Sequence, residues 1–446
     1  MCMPRNHFTP FHDGMQTEYQ VESYQPIGHA APGLRVRVTP SRAFLTCPCG
    51  CGLTHIHEHK RRTIHGGTYQ GVPIIYVIDR IRYVCSRCGK TFVEEYGFLG
   101  KGRSVTTDTE NYIVWQLGSM PFSLIATSIG MSVQTIANRA TKYGESELKT
   151  MLQGHHRYLS MDEVFIGRED DNKHRIYWVL NDISIPWKAN NIILDIGRTK
   201  EKVIEHLMSL EHRDEVIAVC IDMWEGYKEA IALTLPKAAI VVDRFHVIKL
   251  AEKRMNDVRK QSKCSGKDKA DMKKDAELFL KSFYKLDAAE LERLERYLKL
   301  DPYIEKMYYI VQDLLEFYNI RWYDDALEYL CQWESSVIRS NVKEAVSLYE
   351  TVCEWLPYIM NYFTYRITNG KTEGKNNLIR QIDRMGFHYG LACMRGCLYA
   401  HDRRQEYLKW KRYQKKVEKA KDKAKPRKIK ICKAGSQPNN KSAPAA

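Results

Sequence analysis

Three acids in this sequence stand where acids can do chemistry. Asp162 falls in HRYLSMDEVFIG (156–167) and Asp222 in VIAVCIDMW (216–224), each at or one residue past the end of an apolar run. Glu373 lies far downstream, in RITNGKTEGKNNLIRQIDRMGFHYG (366–390). A lone Asp at a strand end is ordinarily a turn former. Two Asp that converge at one sheet edge, joined by a Glu, are instead hard oxygen ligands suited to Mg²⁺ or Mn²⁺. Two such ions about 4 Å apart can clamp the attacking and leaving oxygens of an in-line phosphoryl displacement. Carboxylates so crowded repel one another, so the set makes physical sense only with cations bound.

Other residues gather near these acids. VVDRFHVIKL (241–250) is a buried-looking run that ends in Asp243 and His246. After the turn signal Asn369-Gly370, a helix would place Glu373, Asn376, Asn377 and Arg380 on one polar face. These features make Asp243, His246, Asn376 and Arg380 candidate accessory residues.

A second chemistry is carried by cysteines. CPCGCG (47–52) and CSRCGKTF (85–92) are knuckles, in which two thiolates reach one ion and Gly lets the backbone turn towards sulfur. Two knuckles tens of residues apart can close a tetrahedral zinc site. Cys85 and Cys88 form a regular pair. In the first knuckle Cys47, Cys49 and Cys51 alternate, so Cys47 with Cys51 or Cys49 with Cys51 would serve, and His55, His57, His59 and His65 offer substitutes. A ribbon this small depends on its metal to fold.

The elements that must position these groups follow from the periodicity. Residues 1–40 lack a period and read as a flexible arm with one short strand; 41–100 read as the zinc ribbon. SLIATSIGMSVQTIANRATKYG (123–144) has the helix-turn-helix pattern, with Ala126 small, Gly130 at the turn and Ser132 as a cap. Val133 and Ile136 would face the core, leaving Gln134, Thr135, Asn138 and Arg139 to read a DNA groove. Residues 104–150 are that module. From 156 to 250 the order is β-β-β-α-β-α-β: a meander, then two strands reached by helical crossovers, hence a mixed sheet. Residues 251–365 read as all-helical, 366–408 as the last helices of the same core, and 409–446 as a basic disordered tail. Trp224 reads as core, with stacking on an unpaired base as the rival role.

Bulk properties agree with a multidomain α/β protein that acts on a polyanion. The chain has 446 residues, 44% hydrophobic and 28% charged, with net charge +15. Residues 409–433 carry 13 Lys and Arg against 2 Asp and Glu. No apolar run approaches the ~20 residues that span a bilayer, so a membrane role is not expected. The start MCMPRNHFTP has no apolar signal segment. The 13 cysteines are therefore expected as reduced thiols or metal ligands in a cytoplasmic, nucleoid-associated protein.

Several motifs in order resemble the ISL-three family of bacterial insertion-sequence transposases. They are the knuckles, the helix-turn-helix, SMDEVFIG, VCIDMWEGYKEAIALTLPKAAIVVDRFHVIKLAEKRMNDVRK and TNGKTEGKNNLIRQIDRMGFHYG, over roughly residues 45–405. The resemblance implies an RNase H-like, DDE-type catalytic core interrupted by an all-α insertion and preceded by a zinc ribbon and helix-turn-helix. It implies Asp162, Asp222 and Glu373 as catalytic ligands of two Mg²⁺ or Mn²⁺ ions, with structural Zn²⁺ in the ribbon. Asp243 and His246 resemble an accessory D-x-x-H motif, with Asp243 the alternative second acid. Terminal inverted repeats and target DNA are the implied partners, bound by a homodimer or larger assembly. The first knuckle departs from the family pattern through its extra Cys. The rival readings are a catalytically silent DNA-binding regulator and a structure-specific nuclease on the same fold.

Overall fold

The computed structural model describes residues 17–26, 32–40, 47, 49–50, 54–69, 72–93, 99, 104–166, 175–185, 188–262, 264, 266–386 and 389–424. The chain begins with a five-stranded sheet made of β1 (Thr17–Pro26), β2 (Pro32–Pro40), β3 (Thr54–Tyr69), β4 (Val72–Cys85) and β5 (Thr91–Val93). The order is β1-β2-β4-β3, with β5 on β4; β2 runs parallel to β4 and the other pairs are antiparallel. The arm expected over residues 1–40 thus contains two full strands. Alternating β-branched and aromatic residues in TEYQVESYQP and LRVRVTP favour pleated pairing, a signal masked by their many polar neighbours.

Three helices follow: α1 (Thr107–Gln116), α2 (Phe122–Ile129) and α3 (Val133–Leu152). Gly130 ends α2 at φ 66°, the left-handed region that suits glycine. The Ser132 side chain then caps α3 by accepting the Thr135 amide at 3.2 Å. Ala126, Ile129 and Ile136 are buried between the two helices. Val133, expected in the core, is 49% exposed at the first position of α3.

The second sheet is built from β6 (Tyr158–Ile166), β7 (Arg175–Asp182), β8 (Asn190–Ile196), β9 (Ala218–Ile221) and β10 (Ala239–Val242), in the order β10-β9-β6-β7-β8. β6, β7 and β8 form an antiparallel meander. β9 lies parallel to β6, and β10 parallel to β9. The crossovers are α4 (Lys200–Met208) and α5 (Glu225–Thr234). After β10 come seven helices, α6 (Arg244–Gln261), α7 (Gly266–Lys274), α8 (Ala288–Leu300), α9 (Pro302–Phe317), α10 (Tyr323–Ser340), α11 (Lys343–Glu354) and α12 (Leu356–Tyr365). The chain then returns to the sheet as α13 (Gly370–Met385), and α14 (Leu391–Ala424) follows.

Strand alternation gives this sheet two apolar faces. Leu159, Met161, Trp178 and Leu180 face α4, α5 and the helices α6–α12, in one continuous cluster. Val164, Ile166, Tyr177, Val179 and Leu194 face the other way, in a cluster with Ile379 and Ile382 of α13, Met394 and Leu398 of α14, and the buried side of α1–α3. The helix-turn-helix therefore shares its core with the sheet. Its approach to α14 is close: a Cβ on Gly396 would lie 2.1 Å from the Ala140 carbonyl oxygen.

Residues 1–402 form one compact unit, and residues from Arg403 onwards a second. Residues 409–424, expected as disordered tail, are helical within α14. Ala, Lys, Glu and Arg are strong helix formers, and their propensity outweighs the charge that suggested disorder. Residues 425–446 lie outside the described residues. No described helix is long and apolar enough to cross a membrane.

Candidate active site and metal centre

The strand register brings the acids into line. Ser160 of β6 pairs with Cys220 of β9, so two further residues along each strand set Asp162 beside Asp222. Val242 of β10 pairs with Ile221, and the Asp243 amide donates to the Ile221 carbonyl at 2.8 Å, which sets Asp243 at the same level. Three acids thus occupy adjacent strands at one edge of an open sheet, where ligands of α/β folds bind. Asp162 lies within β6, although the sequence suggested a strand end; the strand runs on to Ile166 because β7 pairs along all of it.

Their environments differ. Burial raises the Asp162 carboxyl above its ordinary range, against the pull of the Glu163 amide, His246 and Asn376. The Asn376 side-chain amide donates to Asp162 Oδ2 at 2.8 Å. Burial, then the nearby Glu163 charge, lift Asp222 to about 6, while His246 and Arg198 draw it down. Asp222 Oδ1 is buried without a hydrogen-bond partner among the described residues. Asp243 is 2% exposed, and burial raises it too, although the Asn369 amide donates to its Oδ1 at 3.1 Å. His246 sits close enough to lower all three.

Glu373 is exposed in the first turn of α13. The residues around it are tied to the sheet. Asn369, at the N-cap, donates from its side chain to the Met161 carbonyl at 3.3 Å, and Thr372 is hydrogen-bonded to Ser160 and Asn181. Asn376 is 4% exposed, whereas Arg380 turns to its neighbour Asn377 at 2.8 Å and not to the acids. The polar stripe read from the sequence is therefore divided between a buried clamp and an exposed pair.

Sequence reasoning missed the opposite flank. Glu163 follows Asp162, and strand alternation sends it to the other face. There it accepts from Arg198 at 2.7 Å and from the Tyr227 hydroxyl. Arg198 also stands 3.5 Å from Asp222 Oδ2, with its guanidinium 4.2 Å from the Trp224 ring centroid. Trp224 is half-buried and meets Tyr227 edge-on at 4.7 Å. Gly226 is needed there, since a Cβ would lie 2.4 Å from the Trp224 ring. A Gly-Arg pair after a strand carries no linear signal; only the fold brings Arg198 to Asp222.

The thiols meet as a group of four: Cys47, Cys49, Cys85 and Cys88 have their sulfurs within 4.8 Å of one another. Cys47 and Cys88 are 3.6 Å apart, and Cys49 and Cys85 3.7 Å. Four sulfurs about 2.3 Å from one Zn²⁺ would be about 3.8 Å apart, so the group has the size of a tetrahedral site. Gly50 at φ 77° and Gly89 at φ 68° supply the left-handed turns that the knuckles need. The first knuckle thus pairs Cys47 with Cys49, and Cys51 lies outside the described residues. His55 is engaged by Ser86 at 3.1 Å and His65 by the Ile129 carbonyl at 3.4 Å, so neither substitutes for a thiol.

On the candidate DNA-reading helix, Gln134 and Asn138 are exposed and bonded to each other at 2.9 Å, and Thr135 is half-buried against Ser132. Arg139, expected to face outward, is turned inward to an ion pair with Glu110 of α1.

Residues 159–392 match the model of a transposase family, the DDE transposases of ISL3 type. The chain is 22% identical, over 367 residues, to the transposase of insertion sequence element IS1001 from Bordetella parapertussis. That alignment covers 80% of this chain and 88% of the relative. Among solved structures, the Drosophila P element transposase strand transfer complex is similar with a TM-score of 0.36 and 11% identity. The match covers 66% of this chain and 90% of that one.

Proposed function

The chain belongs to the ISL3-type DDE transposases and is an insertion-sequence transposase, a DNA-cleaving and strand-transferring enzyme; from that premise we propose that Asp162, Asp222 and Glu373 form its catalytic centre on an RNase H-like core. The observation that carries this reading is the register that aligns Asp162 with Asp222 on neighbouring parallel strands. The strand order β10-β9-β6-β7-β8, a meander followed by two parallel strands, supports the RNase H-like assignment. The family implies divalent metal use, and the donor set fits it: the acids offer hard oxygens, and one buried Asp222 oxygen has no partner among the described residues. Bound there, two Mg²⁺ or Mn²⁺ ions would supply Lewis acidity and a water acidic enough to attack phosphorus.

The rest follows from side chains of the chain itself. Asn376 fixes the rotamer of Asp162. Asn369 bridges Asp243 and the Met161 carbonyl and so ties the start of α13, whose exposed first turn carries Glu373, to the sheet. Asp243 is then a strut for that helix, a role that fits its deep burial better than metal ligation does. Arg198, flattened on Trp224 and tethered by Glu163, is a fixed positive charge beside Asp222 suited to a phosphate of the cleaved strand. We assign structural Zn²⁺ to the four thiols, groove reading to Gln134, Thr135 and Asn138 on α3, and terminal inverted repeats and target DNA as substrates. A homodimer or larger assembly on DNA, acting in the cytoplasm at the nucleoid, completes the reading.

The test is cleavage of labelled DNA carrying the flanking element ends, with Mg²⁺ or Mn²⁺. Wild type cuts, Asp222→Ala does not, and both bind the ends. Loss of cutting in Asp243→Ala alone, with its fold intact, would move the second acid one strand along. End binding without cutting by the wild type would favour the silent regulator.

A further inference from the structure

A third cluster of metal-ligating groups lies at the opposite end of the second sheet from the acids. β6 and β9 run parallel, and the acids lie where β9 ends. His155 precedes β6, and His212 and Glu215 precede β9, so these three gather where the two strands begin. Their ligand atoms all lie within 4.8 Å of one another. His155 Nδ1 is 2.9 Å from Glu215 Oε2 and 3.1 Å from Oε1, and His212 Nδ1 is 3.6 Å from Oε1.

Those spacings have the scale of a coordination polyhedron. Nitrogen and oxygen ligands about 2.0–2.1 Å from a tetrahedral ion stand about 3.3 Å apart. The turn Arg213–Glu215 sets His212 and Glu215 three residues apart on one side, and a different segment delivers His155. The two imidazoles stack at 3.9 Å with planes 18° apart. The stack brings the two rings together, and rotation of the exposed His155 ring would turn both in-plane lone pairs onto one ion. All three side chains reach solvent, with exposures of 65%, 33% and 45%, so an ion can enter and keep a water as a further ligand.

The two segments are already joined. The Glu211 amide donates to the Leu152 carbonyl at 2.9 Å, and the Ile217 amide to the Arg157 carbonyl at 2.8 Å. Leu152 is the last residue of α3, the candidate DNA-reading helix. We infer that His155, His212 and Glu215 form a second site for a late first-row transition ion, such as Zn²⁺, which staples the end of α3 to the start of β9. Two imidazoles and one carboxylate select zinc and its neighbours over Mg²⁺, which prefers an all-oxygen shell.

Full-length protein, purified with its thiolate site loaded, would be titrated with Zn²⁺ by calorimetry in millimolar Mg²⁺, which competes for the carboxylate site. Thermal melts would be recorded alongside. The expected result is one additional equivalent of Zn²⁺ per chain and a melting temperature that rises with Zn²⁺ concentration. The His155→Ala/His212→Ala double variant should lose both, with circular dichroism and cleavage in the absence of added Zn²⁺ unchanged. Glu215→Gln should keep the equivalent at weaker affinity. The inference is overturned if wild type takes up no further zinc, or if the double variant takes up as much as wild type.

Discussion

Lys375 and Asn376 are adjacent on α13, yet they reach acids in opposite conditions. Lys375 meets Asp402 in a buried ion pair, and the Asn191 amide adds a hydrogen bond to the same carboxylate at 3.3 Å. Burial alone would raise Asp402, but the Lys375 charge, helped by His401 and Lys188, holds it below the ordinary range. On the other side Asn376, a neutral donor, meets Asp162, which burial has raised, in the same row as Asp222, one of whose oxygens has no partner among the described residues. One region is an acid with its countercharge supplied by the protein. The other is a set of acids whose countercharge the protein supplies only in part, through Arg198 and His246. A buried carboxylate is costly unless paired. Pairing one acid so completely while its neighbours are left short is the pattern expected if, as proposed above, an added cation completes the second place.

The comparison breaks most readily at the acids. Asp162→Asn or Asp222→Asn should lower strand cleavage by about 10³-fold or more, the scale of losing several kcal/mol of metal-borne charge stabilisation. End binding, read by mobility shift, should stay within a few-fold of wild type. Retained cleavage in both variants would remove the distinction between the two regions.

At the paired acid the loss should fall on stability. Lys375→Met leaves Asp402 buried without its cation and should cost about 3–5 kcal/mol in urea unfolding. Because Asp402 is depressed in the folded protein, its contribution is present above the unfolded value near ~3.9. It drains away as pH falls through the lower folded value. Asp402→Asn lacks this pH-dependent contribution, so its stability, lower at neutrality, should fall less on acidification than that of the wild type, as read by urea unfolding at several pH values.

Asp222 carries the reverse sign. Its folded value of about 6 lies above the unfolded one, so ionisation penalises the metal-free fold at neutral pH. Asp222→Asn should stabilise metal-free protein at pH 7, on the order of 1–3 kcal/mol. The gain should shrink between pH 6 and ~4, and saturating Mg²⁺ should abolish it. Thermal melts at three pH values, with and without Mg²⁺, would check this. A variant less stable than wild type at pH 7 would place Asp222 with Asp402 as a structural acid.

The smallest effect concerns Arg139. Since it pairs with Glu110, Arg139→Ala should cost about 1 kcal/mol of stability and change the DNA sequence preference little. Asn138→Ala, at an exposed position, should instead relax preference at one base pair by about 1–3 kcal/mol. Selection of bound sequences from a randomised pool separates the two.

How much of this was legible in the sequence follows from what periodicity can carry. Apolar runs that end in Asp162 and Asp222 are local signals, and two helical crossovers make the strands that bear them parallel, so their proximity could be anticipated. Gly130 and Ser132 mark the turn of the helix-turn-helix because each has a local conformational reason to be there. Arg198 and Glu163 were invisible, because their role rests on contact between the loop after β8, β6 and the end of β9, which lie apart in sequence. Cys49 could not be told from Cys51 by spacing, and the four sulfurs favour Cys49 only once β4 has brought Cys85 and Cys88 to the first knuckle. The inward turn of Arg139 depends on Glu110, a partner on another helix that a helical wheel does not display.

The apolar cluster that α1–α3 share with α13 and the start of α14 has a consequence for how the protein comes into being. The helices α1–α3 leave the ribosome early, but part of their apolar side is covered by residues of α13 and α14 that are among the last to be made. A nascent chain would hold that surface uncovered until α13 and α14 arrive, and α13 is the helix that brings Glu373. On the proposed reading, the last cover of those helices and Glu373 would arrive together at the end of synthesis. A chain truncated before α13 should therefore be cleared by proteases faster than it could occupy element ends, which pulse-chase labelling of the two lengths would show.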